Sequence, residues 1–102
     1  FNVIYAENDD MAKGAVAALD AAGISHGVDK DVIVMGFDCN KWALEELLAG
    51  NWNYDGQCNP FQASYIDEII KNGTPAEKVI IMDEKGFDAK TITQEDVDTY
   101  GI

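Results

Sequence analysis

Val32-Ile33-Val34-Met35-Gly36-Phe37-Asp38-Cys39-Asn40 passes from an apolar run into a small polar cluster. A helical stripe of Trp42, Ala43, Leu44, Leu47 and Leu48 follows before Gly50. The same grammar occurs twice more. Val3-Ile4-Tyr5-Ala6 leads into Glu7-Asn8-Asp9-Asp10, and Trp52-Asn53-Tyr54 leads into Gln57-Cys58-Asn59-Pro60. Near-continuous apolar runs of this length suit strands buried on both faces. If the runs are parallel strands feeding helices, the three clusters leave one sheet at one edge, where ligands of open α/β sheets bind. The clusters carry hydrogen-bonding side chains and no Arg or Lys, which points to a neutral polar molecule.

Working outward, the spacing predicts strands over about Asn2–Ala6, Val32–Phe37, Trp52–Asp55 and Lys78–Met82. The helix after the first strand starts at Asn8 or Asp9 and should bury Met11, Ala15, Ala18, Leu19 and Ala22, with Gly23 as its C-cap. Asn40 caps the second helix. Pro60 fits the first turn of a third, whose buried face would be Phe61, Tyr65, Ile66, Ile69 and Ile70, ended by Asn72-Gly73. Thr93-Gln94-Glu95-Asp96 resembles a capping box opening one last short helix after a loop. Strands alternating with helices through short loops argue for right-handed crossovers and a parallel sheet.

Composition narrows function. The chain has 102 residues, 47% of them hydrophobic, and 19 acidic residues against 7 basic ones, for a formal charge of −12. All seven basic residues are Lys. So acidic a surface is repelled by phosphate backbones and anionic membranes, which argues against a nucleic-acid partner. No apolar stretch has the length of a membrane span. Cys39 and Cys58 are too few for a disulfide framework or a Cys-only zinc site, and free thiols are expected. His26 sits in a polar loop, where solvation is the simplest expectation. The chain has no G-x-S-x-G elbow, Walker A sequence or G-x-G-x-x-G loop. No catalytic residue, cofactor or metal is assigned. One competing constellation is Asp9, Asp10 and Asp38 around Mg²⁺ with Lys85 nearby, as in receiver domains; against it, Asp9 and Asp10 suit a helix start without any metal. Asn8 and Asp38 supply the donor and acceptor mixture that sugar hydroxyls need.

Tyr5-Ala6-Glu7-Asn8-Asp9-Asp10-Met11-Ala12-Lys13-Gly14-Ala15 resembles the ND-x-MA-x-GA segment of type I periplasmic sugar-binding proteins, the ribose- and galactose-binding group. Val34-Met35-Gly36-Phe37-Asp38 resembles that family's V-x-GFD strand end. Gln57-Cys58-Asn59-Pro60 resembles its QNP or ECNP element, the Cys form resembling that of the galactofuranose-binding branch. Asp83-Glu84-Lys85-Gly86-Phe87 and Ile92-Thr93-Gln94-Glu95-Asp96-Val97 resemble its C-terminal stretch. The resemblance implies an α/β fold with three layers, a mainly parallel sheet and flanking helices. It further implies that the chain is the last third of a two-lobed protein: residues 1–54 in the C-terminal lobe, 55–60 a crossover, and 61–102 other-lobe part and C-terminal tail. Asn8 and Asp38 match sugar-binding positions. Cys58 matches a position where ribose-binding members place Gln, and Gln57 stands one residue early. The implied role is the non-catalytic substrate-binding component of an ABC carbohydrate importer, with a sugar ligand and a membrane permease as partners. Its implied location is periplasmic or extracytoplasmic, lipid-anchored in a Gram-positive source. The effector domain of a LacI-like regulator is the alternative of the same architecture. Exposed apolar sheet surface, and with it self-association or a retained partner fragment, is expected of the isolated piece.

Overall fold

In a computed structural model of the chain, which describes residues 1–60, 62–73 and 79–102, four strands and four helices form a mixed α/β structure. In chain order they are β1 (Val3–Tyr5), α1 (Asp9–Ala21), β2 (Ile33–Asp38), α2 (Lys41–Leu48), β3 (Tyr54–Gln57), α3 (Ala63–Asn72), β4 (Gly86–Asp88) and α4 (Gln94–Tyr100). The sheet order is β1-β2-β3-β4. Its first three strands are parallel, with Tyr5 opposite Met35 and Asp38 opposite Gln57, while β4 runs antiparallel to β3.

Successive right-handed crossovers in the order β1-β2-β3 put α1 and α2 on the same face of the sheet. The core lies there: Val34 and Phe87 from the sheet meet Ala12 and Leu19 of α1, Ala43, Leu44 and Leu47 of α2, Trp52, and Val97 of α4. Trp52 is the largest of the fully buried side chains and stands edge-on to Trp42, with ring centroids 5.9 Å apart. Its ring lies against Gly36, where an added Cβ would come within 2.8 Å of it. The opposite face is bare. Val3, Tyr5 and Ile33 are 45%, 63% and 43% exposed there. Tyr5, Phe37 and Tyr54 form an aromatic row across this face, with centroids 5.3 and 6.5 Å apart. Phe37 lies over Gly56, where a Cβ would approach its ring to 2.6 Å.

Several expectations shift. The face α1 buries is Asp9, Ala12 and Leu19 with Val16 partly covered, one residue out of step with the expected stripe, and Met11 is exposed. An acidic residue anchors that face, so counting apolar positions alone rotates it. The third strand starts two residues late. Trp52 turns into the core, and Asn53 Oδ1 accepts the Val34 N–H at 2.9 Å in place of a backbone carbonyl. Of the strand expected over Lys78–Met82, Lys78 lies outside the described residues and Val79–Met82 forms no strand. The strand that completes the sheet is Gly86–Asp88, in the stretch expected to be loop. Of the stripe expected on α3, Phe61 lies outside the described residues, and Tyr65, Ile66, Ile69 and Ile70 are all exposed, Ile66 at 55% and Ile70 at 75%. The molecule is accordingly long, 56 × 26 × 17 Å, with a radius of gyration of 16.6 Å. A compact chain of this size has about 13 Å. The C-terminal helix forms as expected, with a Thr93–Asp96 capping box.

Candidate functional site

The carboxyl ends of β1, β2 and β3 bring together the loops carrying Asn8, Asp38 and Gln57-Cys58. Asn8 is the N-cap of α1: its Oδ1 accepts the Met11 N–H at 2.8 Å. That leaves its amide Nδ2 as the group that can donate to a ligand. Asp38 ends β2 with φ at 118°, and Cys39 follows at 61°, two successive non-glycine residues in left-handed backbone. Such conformations cost of order 1–3 kcal/mol each and persist where the surroundings hold them. The Asp38 carboxylate is half-buried and accepts no hydrogen bond from the described residues, so it stays available at the edge.

Beneath the edge lies a buried acidic group that holds this turn. Asp9 and Asp55 are both fully buried. Asp9 Oδ2 accepts from Asn40 N at 2.9 Å and from Asn40 Nδ2 at 3.1 Å, tying the start of α1 to the residue after the turn. Cys39 Sγ donates to Asp55 Oδ1 at 3.9 Å. Backbone bonds close the turn from the other side, Ile102 N to Cys39 O at 3.1 Å and Lys41 N to Ile102 O at 3.0 Å. The remaining oxygens, Asp9 Oδ1 and Asp55 Oδ2, meet no other residue's donor. The two carboxyls are within hydrogen-bond reach of each other, which two acceptors satisfy only when one is protonated. Burial, and then the negative charge of Asp9, push Asp55 up to about 8. Burial also raises Asp9, with the bonds from Asn40 pulling the other way. The Cys39 thiol is raised as well, chiefly by burial and then by Asp55, so it stays protonated.

Gln57 and Cys58 behave differently from Asn8 and Asp38. Gln57 Oε1 accepts from Lys85 N at 3.2 Å, and Gln57 N donates to Lys85 O at 2.8 Å. Asn59 N donates to Glu84 Oε1 at 2.7 Å. Two connections therefore run side by side between the sheet and α3. Cys58 is exposed while Cys39 is buried, and both are free thiols. Residues 86–102, in the stretch expected to hold the other-lobe part and the C-terminal tail, pack with the first three strands: β4 pairs with β3, and Phe87 and Val97 join the common core.

The Mg²⁺ constellation does not assemble. Asp9 points inward to Asn40 and Asp55, Asp10 is exposed, and the described residues contain no group of three or more His, Cys, Asp or Glu side chains able to hold a metal. Lys85 is committed to Asp96 at 2.7 Å and to the rings of Phe87 and Tyr100 at 4.9 and 4.5 Å. His26 is not a solvated loop residue. Its side chain is 12% exposed, with Nδ1 2.8 Å from Asn51 O and Nε2 3.1 Å from Asp20 Oδ1. It borders a cavity of about 470 Å³ between α1 and α2 that Lys13, Asp20, Trp42 and Trp52 also line. That cavity adjoins the residues preceding β2 and β3, at the end of the sheet opposite the ligand edge.

A sheet that presents such side chains at its carboxyl edge, with paired connections leading away from it, is built like part of a type I periplasmic sugar-binding protein. The relatives and structural neighbours of this chain are type I periplasmic sugar-binding proteins, and the chain matches a partial region of them. It is 35% identical over 89 residues to the fructose import binding protein FruE of Bifidobacterium longum, a match covering 84% of the chain and 26% of that protein. To the ribose import binding protein RbsB of Bacillus subtilis it is 43% identical over 44 residues, 43% of the chain and 12% of that protein. A crystal structure of a galactofuranose-binding protein superposes with a TM-score of 0.80 at 25% identity, over 98% of this chain and 34% of that one. The chain thus spans about a quarter of FruE and an eighth of RbsB. No protein-family model matches it.

Proposed function

We propose that the chain is the C-terminal part of the substrate-binding component of an ABC-type carbohydrate importer, and that it holds half of a site for a neutral sugar. The observation that carries this reading is the parallel register that sets Asn8 and Asp38 on adjacent strand ends, each with a polar group left for a ligand. Asp38 accepts sugar hydroxyls as a carboxylate, Asn8 donates through Nδ2, and the role is binding without catalysis. Gln57 and Cys58 stand at the hinge as further candidate sugar contacts, and the bond from Lys85 N to Gln57 Oε1 supports a part for Gln57 in holding the connections as well.

Residues 1–57 and 86–102 form one lobe, Cys58–Pro60 and Asp83–Lys85 are crossovers, and α3 belongs to a second lobe whose other parts cover its apolar stripe. Closure of the two lobes around the sugar is the working motion. The protein acts outside the cytoplasm, lipid-anchored where there is no outer membrane, and delivers sugar to a membrane permease; nucleic acid is not a partner. The bare aromatic sheet face leads the isolated chain to self-associate. The regulator alternative is not favoured, since FruE and RbsB are both named import binding proteins. A thermal-shift screen of the complete two-lobed protein against pentoses and hexoses, galactofuranose included, tests the reading. Stabilisation by at least one neutral sugar is expected, and a flat response across the panel refutes it.

A further inference from the structure

Asp55 is an odd residue for its place. It sits in the middle of a parallel-paired strand, fully buried, with Gly36 opposite on β2 and Phe87 opposite on β4. A lone buried carboxylate there costs several kcal/mol, and an apolar side chain would cost nothing. Its partner Asp9 comes from another element. Asp9 Oδ1 lies over Gly36, where a Cβ would stand only 2.5 Å from that oxygen, so the glycine makes room for the carboxyl beside Asp55. The unpartnered oxygens belong to this pair, and its outer oxygens reach Cys39, the second residue of the left-handed turn, and Asn40, which follows it.

We propose that Asp55 is a positioning residue for the sugar site: it and Asp9 share one proton, and through Cys39 and Asn40 the pair holds the Asp38–Cys39 turn, so that sugar affinity falls when the proton leaves. The inference rests on the sugar-site reading above. With the proton present, one carboxyl donates to the other and the pair carries a single buried charge. Once the proton is lost, two buried like charges repel, and the turn that depends on both is released. The titratable groups that bear on Asp55 are Asp9 from α1 and Asp38 and Cys39 from the end of β2. From β4 it meets Phe87, which in turn carries Lys85 Nζ at 4.9 Å and the Tyr100 ring at 5.4 Å. Burial and Asp9 together set the loss at about pH 8.

The test is calorimetric titration of the complete protein, with the sugar found in the screen, from pH 6 to pH 9.5, on wild type, Asp55→Asn and Asp55→Leu. Asparagine keeps a donor toward Asp9 and cannot ionise. Wild-type affinity should fall by about tenfold or more across pH 8, the scale of one lost charge-assisted bond. Asp55→Asn should bind at the wild-type pH 6 level with a flat profile, and Asp55→Leu should bind weakly at every pH. A flat wild-type profile, or an Asp55→Asn profile that falls like wild type, overturns the proposal. Infrared spectroscopy of the unliganded chain covers the case of a variant that does not fold. A protonated-carboxyl stretch should persist at pH 7 in wild type and fade as the pH rises through 8 toward 9.5, and its absence at pH 7 also overturns the proposal. If no sugar binds at any pH, the sugar-site reading fails instead, and the infrared band still decides whether the pair holds its proton.

Discussion

Replacing Asp38 by glycine should separate binding from folding at one position. The backbone there has φ 118°, a region in which a Cβ is strained and glycine is not. Relief of that strain is worth about 1–2 kcal/mol. Glycine gives back roughly 0.5–1 kcal/mol through the greater entropy of its unfolded chain. The side chain makes no hydrogen bond to the described residues, so its removal breaks no internal contact of that kind. The variant should therefore be between equally stable and about 1.5 kcal/mol more stable than wild type, read from urea midpoints at constant m-value. Its sugar affinity should drop by ten- to a hundredfold, since a hydrogen bond to a charged acceptor contributes about 1.5–3 kcal/mol. Asp38→Asn serves as the companion, keeping one acceptor oxygen and a side chain that tolerates left-handed backbone, with an intermediate loss. Calorimetry showing unchanged affinity in Asp38→Gly would refute the assignment of Asp38 to the sugar. A destabilisation of more than about 1 kcal/mol would instead mean that the carboxylate holds the turn itself.

Two further outcomes follow from other parts of the molecule. Lys85, and then Thr93, hold Asp96 down at about 2, below its ordinary 3.8. A depressed carboxyl contributes stability that is fully present above pH 4 and is lost as pH falls toward 2. The urea midpoint should decline over that window, and Lys85→Met should flatten the decline; an unaltered slope would show that the ion pair contributes nothing. The second outcome concerns the bare sheet face. Light scattering on the isolated chain should give a mass above the 11.2 kDa monomer, because Val3, Tyr5 and Ile33 are left uncovered. A clean monomer at tens of micromolar, with no other polypeptide present, counts against association through that face.

Much of this architecture is legible from residue order. The apolar runs at Val3–Ala6 and Val32–Phe37 and the stops at Asn8 and Asn40 place two βα units, and Thr93 with Asp96 places the last helix. Harder to read are the positions where polarity hides a structural role. Asp9 looks like an ordinary first-turn acid favoured by the helix dipole, yet it is buried and sets the face of α1. Asp55 falls outside any apolar pattern, so nothing local marks it as a core residue. Asn53 spends its side chain on a strand bond and delays β3 by two residues. Gly86–Asp88 is too short for periodicity to register, and its pairing with β3 is non-local. The assignment of Asn8 and Asp38 to the sugar is a proposal that the resemblance suggests. The left-handed backbone at Asp38 and Cys39 was not legible, because neither residue is the glycine that usually announces it.

Where the expected elements are missing or left bare, the reason is common to all of them. The stretch Val79–Met82 is apolar but forms no strand, and among the described residues nothing buries the stripe of α3. The sheet has a covered face and an aromatic face open to solvent. A strand needs a neighbour to take its backbone bonds, and an amphipathic helix needs a surface to bury its stripe; neither is supplied by propensity alone. The paired connections at Gln57–Asn59 and Glu84–Lys85 separate this unsatisfied region from a well-packed body. Asn8 and Asp38, with polar groups left over, stand on that body beside those connections. Unmet apolar surface and unmet hydrogen bonds therefore both fit the proposed reading, in which a second lobe faces the strand ends with the sugar held between the two.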